Sequence, residues 1–222
     1  MTRVKICGIT NVADARAACE AGADTVGLNF YARSPRAVSA TTAVEIREQL
    51  PAGVQVFGVF VNSDPGEVMD IFSSVGLDAV QLHGDESPAV VAQLARQIMV
   101  FKAVRVGPDF SASTLEDYPD ASGFLFDAAD AATGQYGGTG RLVDWGVAQQ
   151  IARSHRIILA GGLNVENVTA AILQVRPYGV DVASGVEVAP GSKDHYRMRE
   201  FIREVRRADQ QLETPARELR AT

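Results

Sequence analysis

The chain has 222 residues, 46% hydrophobic and 22% charged, with a formal net charge of -6. This is ordinary globular composition, and the negative balance argues against nucleic acid or an anionic membrane as the main partner. No apolar run reaches the roughly 20 residues of a membrane span, and no signal peptide is read. The two cysteines, Cys7 and Cys19, form no CxxC pair, so neither a disulfide framework nor a structural zinc site is expected, and a cytoplasmic location is.

The opening stretch Val4-Lys5-Ile6-Cys7-Gly8-Ile9-Thr10 reads as a short apolar strand, a glycine turn and a helix-capping threonine, the start of a β/α unit. Val12, Ala15 and Cys19 share one face of the helix that follows, so Cys19 is read as core, and Gly22 stops that helix. Further apolar runs lie at Thr25–Phe30, Val54–Val61, Ala79–Leu82, Met99–Val104, Gly123–Phe126, Ile157–Ala160 and Gly179–Val182, which makes eight with the first. They are rich in Val, Ile, Leu and Phe, as strands covered by helices should be.

Helix signals fill the gaps. Asp64-Pro65-Gly66-Glu67 supplies a cap, a proline at the first helical position and an acidic first turn, and Gly76 ends the stripe Val68, Ile71, Phe72 and Val75. Ser87-Pro88 opens the next helix in the same way. Phe110–Asp120 is the weakest segment, with one short helical piece. Asn164 is read as the cap of a helix carrying Val165, Val168, Ile172 and Val175. The last helix is read over Arg197–Gln211. Residues 1–207 are taken as one domain and 208–222 as a polar, frayed tail. Eight strands alternating with helices in this length predict a single (β/α)8 TIM barrel of the α/β class. A doubly wound open sheet is the alternative, lowered by the lack of a GxGxxG after the first strand.

Strand alternation separates the two faces. Val4, Ile6, Val26, Leu28, Val80, Leu82, Phe124, Phe126, Val180 and Val182 suit the helix-facing side. The other parity holds Lys5, Cys7, Asn29, Gln81, His83, Asp127 and Asp181, polar groups gathered toward the C-terminal strand ends, where barrels place active sites.

Cys7 is a candidate reactive thiol at such an end. Lys5, two residues deeper, either lowers the thiol pKa or pairs with Asp181 once the first and last strands close the ring. Asp127 either caps its turn or serves as a general acid or base, with the glycine-rich stretch Ala128–Gly140 as a lid. Gly161 and Gly162, and Ser184 and Gly185 ahead of the short segment Val186–Val188, stand where the loops after strands seven and eight form phosphate sites. Arg33 or Arg36 could grip a carboxylate, and position alone does not choose between them. His83 either contacts substrate or is structural. No cluster has metal-ligand spacing, and no serine-hydrolase motif occurs.

Several short motifs agree in order and spacing with one family: Lys5-Ile6-Cys7-Gly8-Ile9-Thr10, Gly27-Leu28-Asn29-Phe30, Ser34-Pro35-Arg36, Gly58-Val59-Phe60-Val61-Asn62, Val80-Gln81-Leu82-His83-Gly84, Phe126-Asp127-Ala128, Gly137-Gly138-Thr139-Gly140, Leu159-Ala160-Gly161-Gly162-Leu163 and Ser184-Gly185-Val186-Glu187. Over about residues 3–205 the chain resembles phosphoribosylanthranilate isomerase of tryptophan biosynthesis. The resemblance implies a barrel enzyme without metal or organic cofactor. It implies an Amadori rearrangement of N-(5'-phosphoribosyl)anthranilate to 1-(2-carboxyphenylamino)-1-deoxyribulose 5-phosphate. It also implies Asp127 as general acid, Cys7 as general base, Arg36 on the anthranilate carboxylate, and Gly161, Gly162, Ser184 and Gly185 around the phosphate.

The chain departs from the family pattern at Val143, Val165 and Ala183. Two other readings compete with this one. A related histidine-pathway isomerase would resemble a two-aspartate site, against which Cys7 speaks, and a silent ligand-binding barrel would not need both Cys7 and Asp127. The expected partner is a small phosphorylated molecule, with the chain acting as a monomer or a homodimer.

Overall fold

The computed structural model describes residues 1–107, 110–128 and 143–213. Eight parallel strands close into a barrel in chain order: β1 (Arg3–Cys7), β2 (Thr25–Asn29), β3 (Gln55–Phe60), β4 (Ala79–Leu82), β5 (Val100–Val106), β6 (Gly123–Ala128), β7 (Ile157–Leu159) and β8 (Gly179–Val182). Closure pairs β1 with β8 and sets Lys5 opposite Asp181. The α/β barrel expectation is met, and each strand falls within a few residues of its sequence-read range.

The helices form the outer layer: α1 (Val12–Ala21), α2 (Ala40–Glu48), α3 (Pro65–Val75), α4 (Pro88–Ala95), α5 (Trp145–Ile151), α6 (Val168–Val175) and α7 (His195–Glu213). The weak segment between β5 and β6 holds only a 3-10 turn, Ala112–Leu115. Asp64 and Ser87 cap α3 and α4 through their side chains, each with proline in the first turn.

Two capping assignments are corrected. Asn11, not Thr10, accepts the bond from Asp14 N that caps α1, while the Thr10 hydroxyl donates to the Gly191 carbonyl at 2.6 Å. Asn164 organises a turn ahead of α6, accepting from the backbone of Glu166 and Asn167, and α6 itself starts at Val168. The tail boundary also moves. Residues 208–213 continue α7, because Ala208 is buried and Asp209 accepts both the backbone N–H and the hydroxyl of Thr2.

The sheet separates two apolar groups. All ten residues assigned to the helix-facing parity lie in the large outer core. A second cluster of Phe57, Ala79, Phe101, Ala103, Leu125, Ile158 and Ala160 fills the inside of the ring. That plug leaves the polar inner residues at the C-terminal mouth as the floor of a cavity. After β8, a short hairpin of β9 (Glu187–Ala189) and β10 (Ser192–Lys193) folds over one side of the mouth.

Candidate active site

The cavity at the C-terminal mouth is about 530 Å³, the size of a small-molecule site. Cys7, Asn29, Gln81, His83, Asp127 and Asp181 reach it from five strands or their immediate ends, as the inner parity requires. Beneath Cys7, Lys5 Nζ sits 2.7 Å from Asp181 Oδ1, and both are buried. Burial alone would lower the Lys5 ammonium, but Asp181 and Cys7 hold it above the ordinary lysine value, so it stays charged.

Of the two readings of Lys5, the structure favours the pair with Asp181 over a lowered Cys7 thiol. Burial pushes the thiol above its ordinary value and Asp181 adds to that, while Lys5 and Lys193 offset only part. Lys5 thus pairs with Asp181, and its pull on the thiol does not prevail.

Asp127 sits within β6, 5% exposed. Its Oδ1 accepts from the Ala128 backbone N–H at 2.8 Å, and its Oδ2 lies 3.2 Å from His83 Nε2. His83 in turn meets Gln81 Nε2 through Nδ1 at 2.7 Å. The proposed lid, after Ala128, lies outside the described residues.

Arg36 lines the cavity and Arg33 is exposed at its edge. Glu187 holds the Arg36 guanidinium by Nε at 2.9 Å and Nη2 at 2.7 Å, so the Nη1 edge is left for a ligand. The arginine stem crosses Gly8, where any Cβ would meet Arg36 Cδ at 2.5 Å; at φ +72 this turn also favours glycine. Glu187 is shared with Lys193, whose Nζ lies 2.7 Å from Glu187 Oε1 and donates to the carbonyls of Cys7 at 2.5 Å and Ala183 at 3.2 Å. Burial favours neutral Glu187, yet Arg36 and Lys193 hold its carboxyl below the usual range.

Lys193 escaped the sequence reading because a two-residue strand carries no periodicity. Glu187 appeared only within a motif. The one available signal was a glutamate and a lysine flanking the turn Pro190-Gly191 just after strand eight.

Gly161, Gly162 and Ser184 also line the cavity, and the backbone N–H groups of Gly161 and Gly162 make no bond within the described residues. Gly161 must be bare, since a Cβ there would lie 2.7 Å from Ala128 N and 3.1 Å from Asp127 Oδ1. Gly185 does not line the cavity. It lets the turn after β8 lie on the loop after β7, where a Cβ would strike the Leu163 carbonyl. Ala183, a departure from the family pattern, takes part through its carbonyl, and Val143 is buried in the outer core. One cavity therefore offers a thiol, a carboxyl with a histidine partner, a guanidinium and free backbone amides, a set fitted to acid–base chemistry on a phosphorylated carboxylate.

The family model for N-(5'-phosphoribosyl)anthranilate (PRA) isomerase matches residues 4–204. The chain belongs to the N-(5'-phosphoribosyl)anthranilate isomerase family. Among curated members, that of Rubrobacter xylanophilus is 48% identical over 91% of this chain and 98% of its own. That of Pelobacter propionicus is 47% identical over 91% and 95%. A crystal structure of the Thermotoga maritima isomerase superposes with a TM-score of 0.85 at 42% identity, covering 93% of this chain and 99% of that one. Another isomerase structure, in complex with reduced 1-(o-carboxyphenylamino)-1-deoxyribulose 5-phosphate, gives 0.83 at 41% identity over 93% and 99%. The family reaction is an aldose–ketose isomerisation in tryptophan biosynthesis. Among the described residues no helix is long and apolar enough to cross a membrane.

Proposed function

We propose that Asp127 and Cys7 carry the two proton transfers of the family's rearrangement of N-(5'-phosphoribosyl)anthranilate. Asp127, protonated, gives its proton to the furanose ring oxygen; the ring C–O bond breaks and a Schiff base forms at C1'. Cys7, as thiolate, takes the proton from C2', and the electron pair moves into the C1'–C2' bond to give an enolamine. Tautomerisation of the enolamine yields the ketone, 1-(2-carboxyphenylamino)-1-deoxyribulose 5-phosphate. The two groups need opposite starting protonation states; Lys5 and Lys193 favour the thiolate against the larger effect of burial, and Asp127 is joined to His83.

Arg36, aimed by Glu187, holds the anthranilate carboxylate, and His83 contacts the sugar end beside Asp127. The amides of Gly161 and Gly162 with Ser184 hold the phosphate, while Gly185 shapes that loop. The chain works in the cytoplasm as a monomer or a homodimer on this small substrate. The observation that carries the reading is the thiol and the carboxyl at β1 and β6 lining one cavity with the Gly161 and Gly162 backbone N–H groups, which make no bond within the described residues.

The test is loss of substrate fluorescence with freshly generated phosphoribosylanthranilate. Wild type consumes it, and Cys7→Ser and Asp127→Asn each lose roughly 10²–10⁴-fold in kcat, as expected for a missing general base or acid. A folded Asp127→Asn variant that kept wild-type kcat would remove the acid role.

A further inference from the structure

Gln81 is 1% exposed, lies on β4 and faces the cavity, yet its Oε1 has no hydrogen-bond partner. A buried amide oxygen left bare costs free energy, and such an atom in a cavity wall calls for an explanation. Its other end is engaged: Nε2 meets His83 Nδ1 at 2.7 Å, and His83 Nε2 meets Asp127 Oδ2 at 3.2 Å. The three side chains form one line from the barrel wall to the proposed acid.

Each link constrains the next. An amide NH₂ only donates, so His83 Nδ1 must then be the bare acceptor nitrogen, and the imidazole proton sits on Nε2. That proton points at Asp127 Oδ2, and Oδ1 already accepts from the Ala128 backbone N–H, so both oxygens act as acceptors, the role a carboxylate fills best. The line from Asp127 Oδ2 to Gln81 is then complete with a single proton on His83. When a second proton enters that line, His83 carries N–H at Nδ1, whether the other proton rests on Nε2 or on Asp127 Oδ2. An amide NH₂ then opposes an N–H donor. Turning the Gln81 amide end for end presents Oε1, the atom now bare, as the acceptor.

We propose that Gln81 is a positioning residue that reads the proton count of the His83–Asp127 pair, its Nε2 face matching the carboxylate form and its Oε1 face the acid-competent form. This rests on Asp127 as the general acid, and it adds the device that keeps either form hydrogen-bonded without water in the line. The register neighbours of Gln81, Val59 and Phe101, are apolar and cannot substitute for it. The other charged or titratable groups facing the line come from around the mouth. Cys7 and the Lys5–Asp181 pair lie across the cavity, with Arg36, Arg33 and Tyr31 on the loop after β2. Lys102 and Glu86 pair behind β4, and Arg105 and Asp85 at the rim.

The experiment measures kcat/KM and kcat against pH for wild type, Gln81→Leu and Gln81→Glu, with the histidine tautomer read by 15N NMR. Gln81→Leu offers neither face, and kcat falls roughly 10- to 100-fold, the range for losing a partner that orients a histidine at metal sites. Gln81→Glu adds a negative acceptor beside Nδ1, which favours the doubly protonated pair. The limb on which that pair loses its proton moves to higher pH, a displacement that loose packing would not produce. In wild type the His83 signal, identified among three histidines by its loss in His83→Asn, shows the proton on Nε2 above that limb. A proton on Nδ1 there overturns the proposal even if both Gln81 variants misfold. So does a Gln81→Glu profile that superposes on wild type. Absence of isomerase turnover in wild type would instead defeat the assignment of Asp127 and leave the tautomer measurement to decide the Gln81 line by itself.

Discussion

Two buried lysine–glutamate pairs brace the two sides of the cavity, and they are built for different tasks. Lys193 and Glu187, 2.7 Å apart, sit on the hairpin after β8. The lysine ties down the Cys7 carbonyl and the glutamate aims Arg36 into the cavity. Lys102 and Glu86, 3.1 Å apart, sit behind β4 and touch no cavity group directly. Lys102 donates to the carbonyls of Leu82, Gly84 and Ala103, and Glu86 accepts from the backbone of Asn62 and Gly84. The first pair is joined to ligand-facing groups, whereas the second fixes the backbone on either side of His83. Similar chemistry thus positions substrate on one side and backbone on the other.

Breaking the second pair should have the larger effect. Lys102→Met leaves Glu86 sealed, 2% exposed at its side chain, without its ammonium partner and with the backbone N–H groups of Asn62 and Gly84 as its donors among the described residues. Removing one partner of a buried pair costs about 3–5 kcal/mol, and at roughly 2–4 °C per kcal/mol for a chain of this size, thermal unfolding should drop by about 6–20 °C. Scanning calorimetry checks this. A drop of only a degree or two would mean that the pair is not sealed and the contrast with Lys193–Glu187 is lost.

The first pair should be felt in binding. Glu187→Gln keeps the shape but removes the charge that holds Arg36 by two nitrogens. A hydrogen bond to a charged group is worth about 1.5–3 kcal/mol, so KM should rise roughly 10- to 100-fold while kcat changes less. Steady-state kinetics decide, with Arg33→Ala as the comparison, because Arg33 is exposed and makes no such clamp. Equal KM changes in the two variants would mean that the clamp does not direct Arg36.

These pairs also mark where sequence reading stops. The ring was legible because a two-residue period separates Val4 and Ile6 from Lys5 and Cys7, and closure then brings Lys5 to Asp181. Cys7, His83, Asp127, Gly161 and Gly162 were legible because each ends a strand or follows one. Lys193 was not, since its partners lie at Cys7 and Ala183, far from it in the chain or across a turn, and no local pattern encodes them. Lys102 sits in the middle of β5 with the look of any strand lysine; only its carbonyl cage reveals its role. The cap of α1 failed for a similar reason. Thr10 and Asn11 are both good caps, and the Gly191 carbonyl, brought in by the hairpin, takes the threonine.

The smallest predicted effect concerns charge rather than contact, and it sharpens the same contrast. Lys5 and Lys193 both act on the Cys7 thiol, whereas Lys102 turns its ammonium into backbone carbonyls away from the cavity. Two nearby cations would be expected to make Cys7 a ready thiolate. Burial works the other way and is the larger influence, with Asp181 reinforcing it, so the net displacement is upward. At any given pH, then, less thiolate is present than in an ordinary thiol. Alkylation of Cys7 should accelerate with pH along a curve displaced to the alkaline side of a free-cysteine standard, and kcat/KM should still be rising where that standard has levelled off. Cys19→Ser provides the background in which Cys7 is the sole thiol. A curve displaced to the acidic side would mean that the lysines outweigh burial, and that the Cys7 side of the cavity is organised by charge more than by exclusion of water.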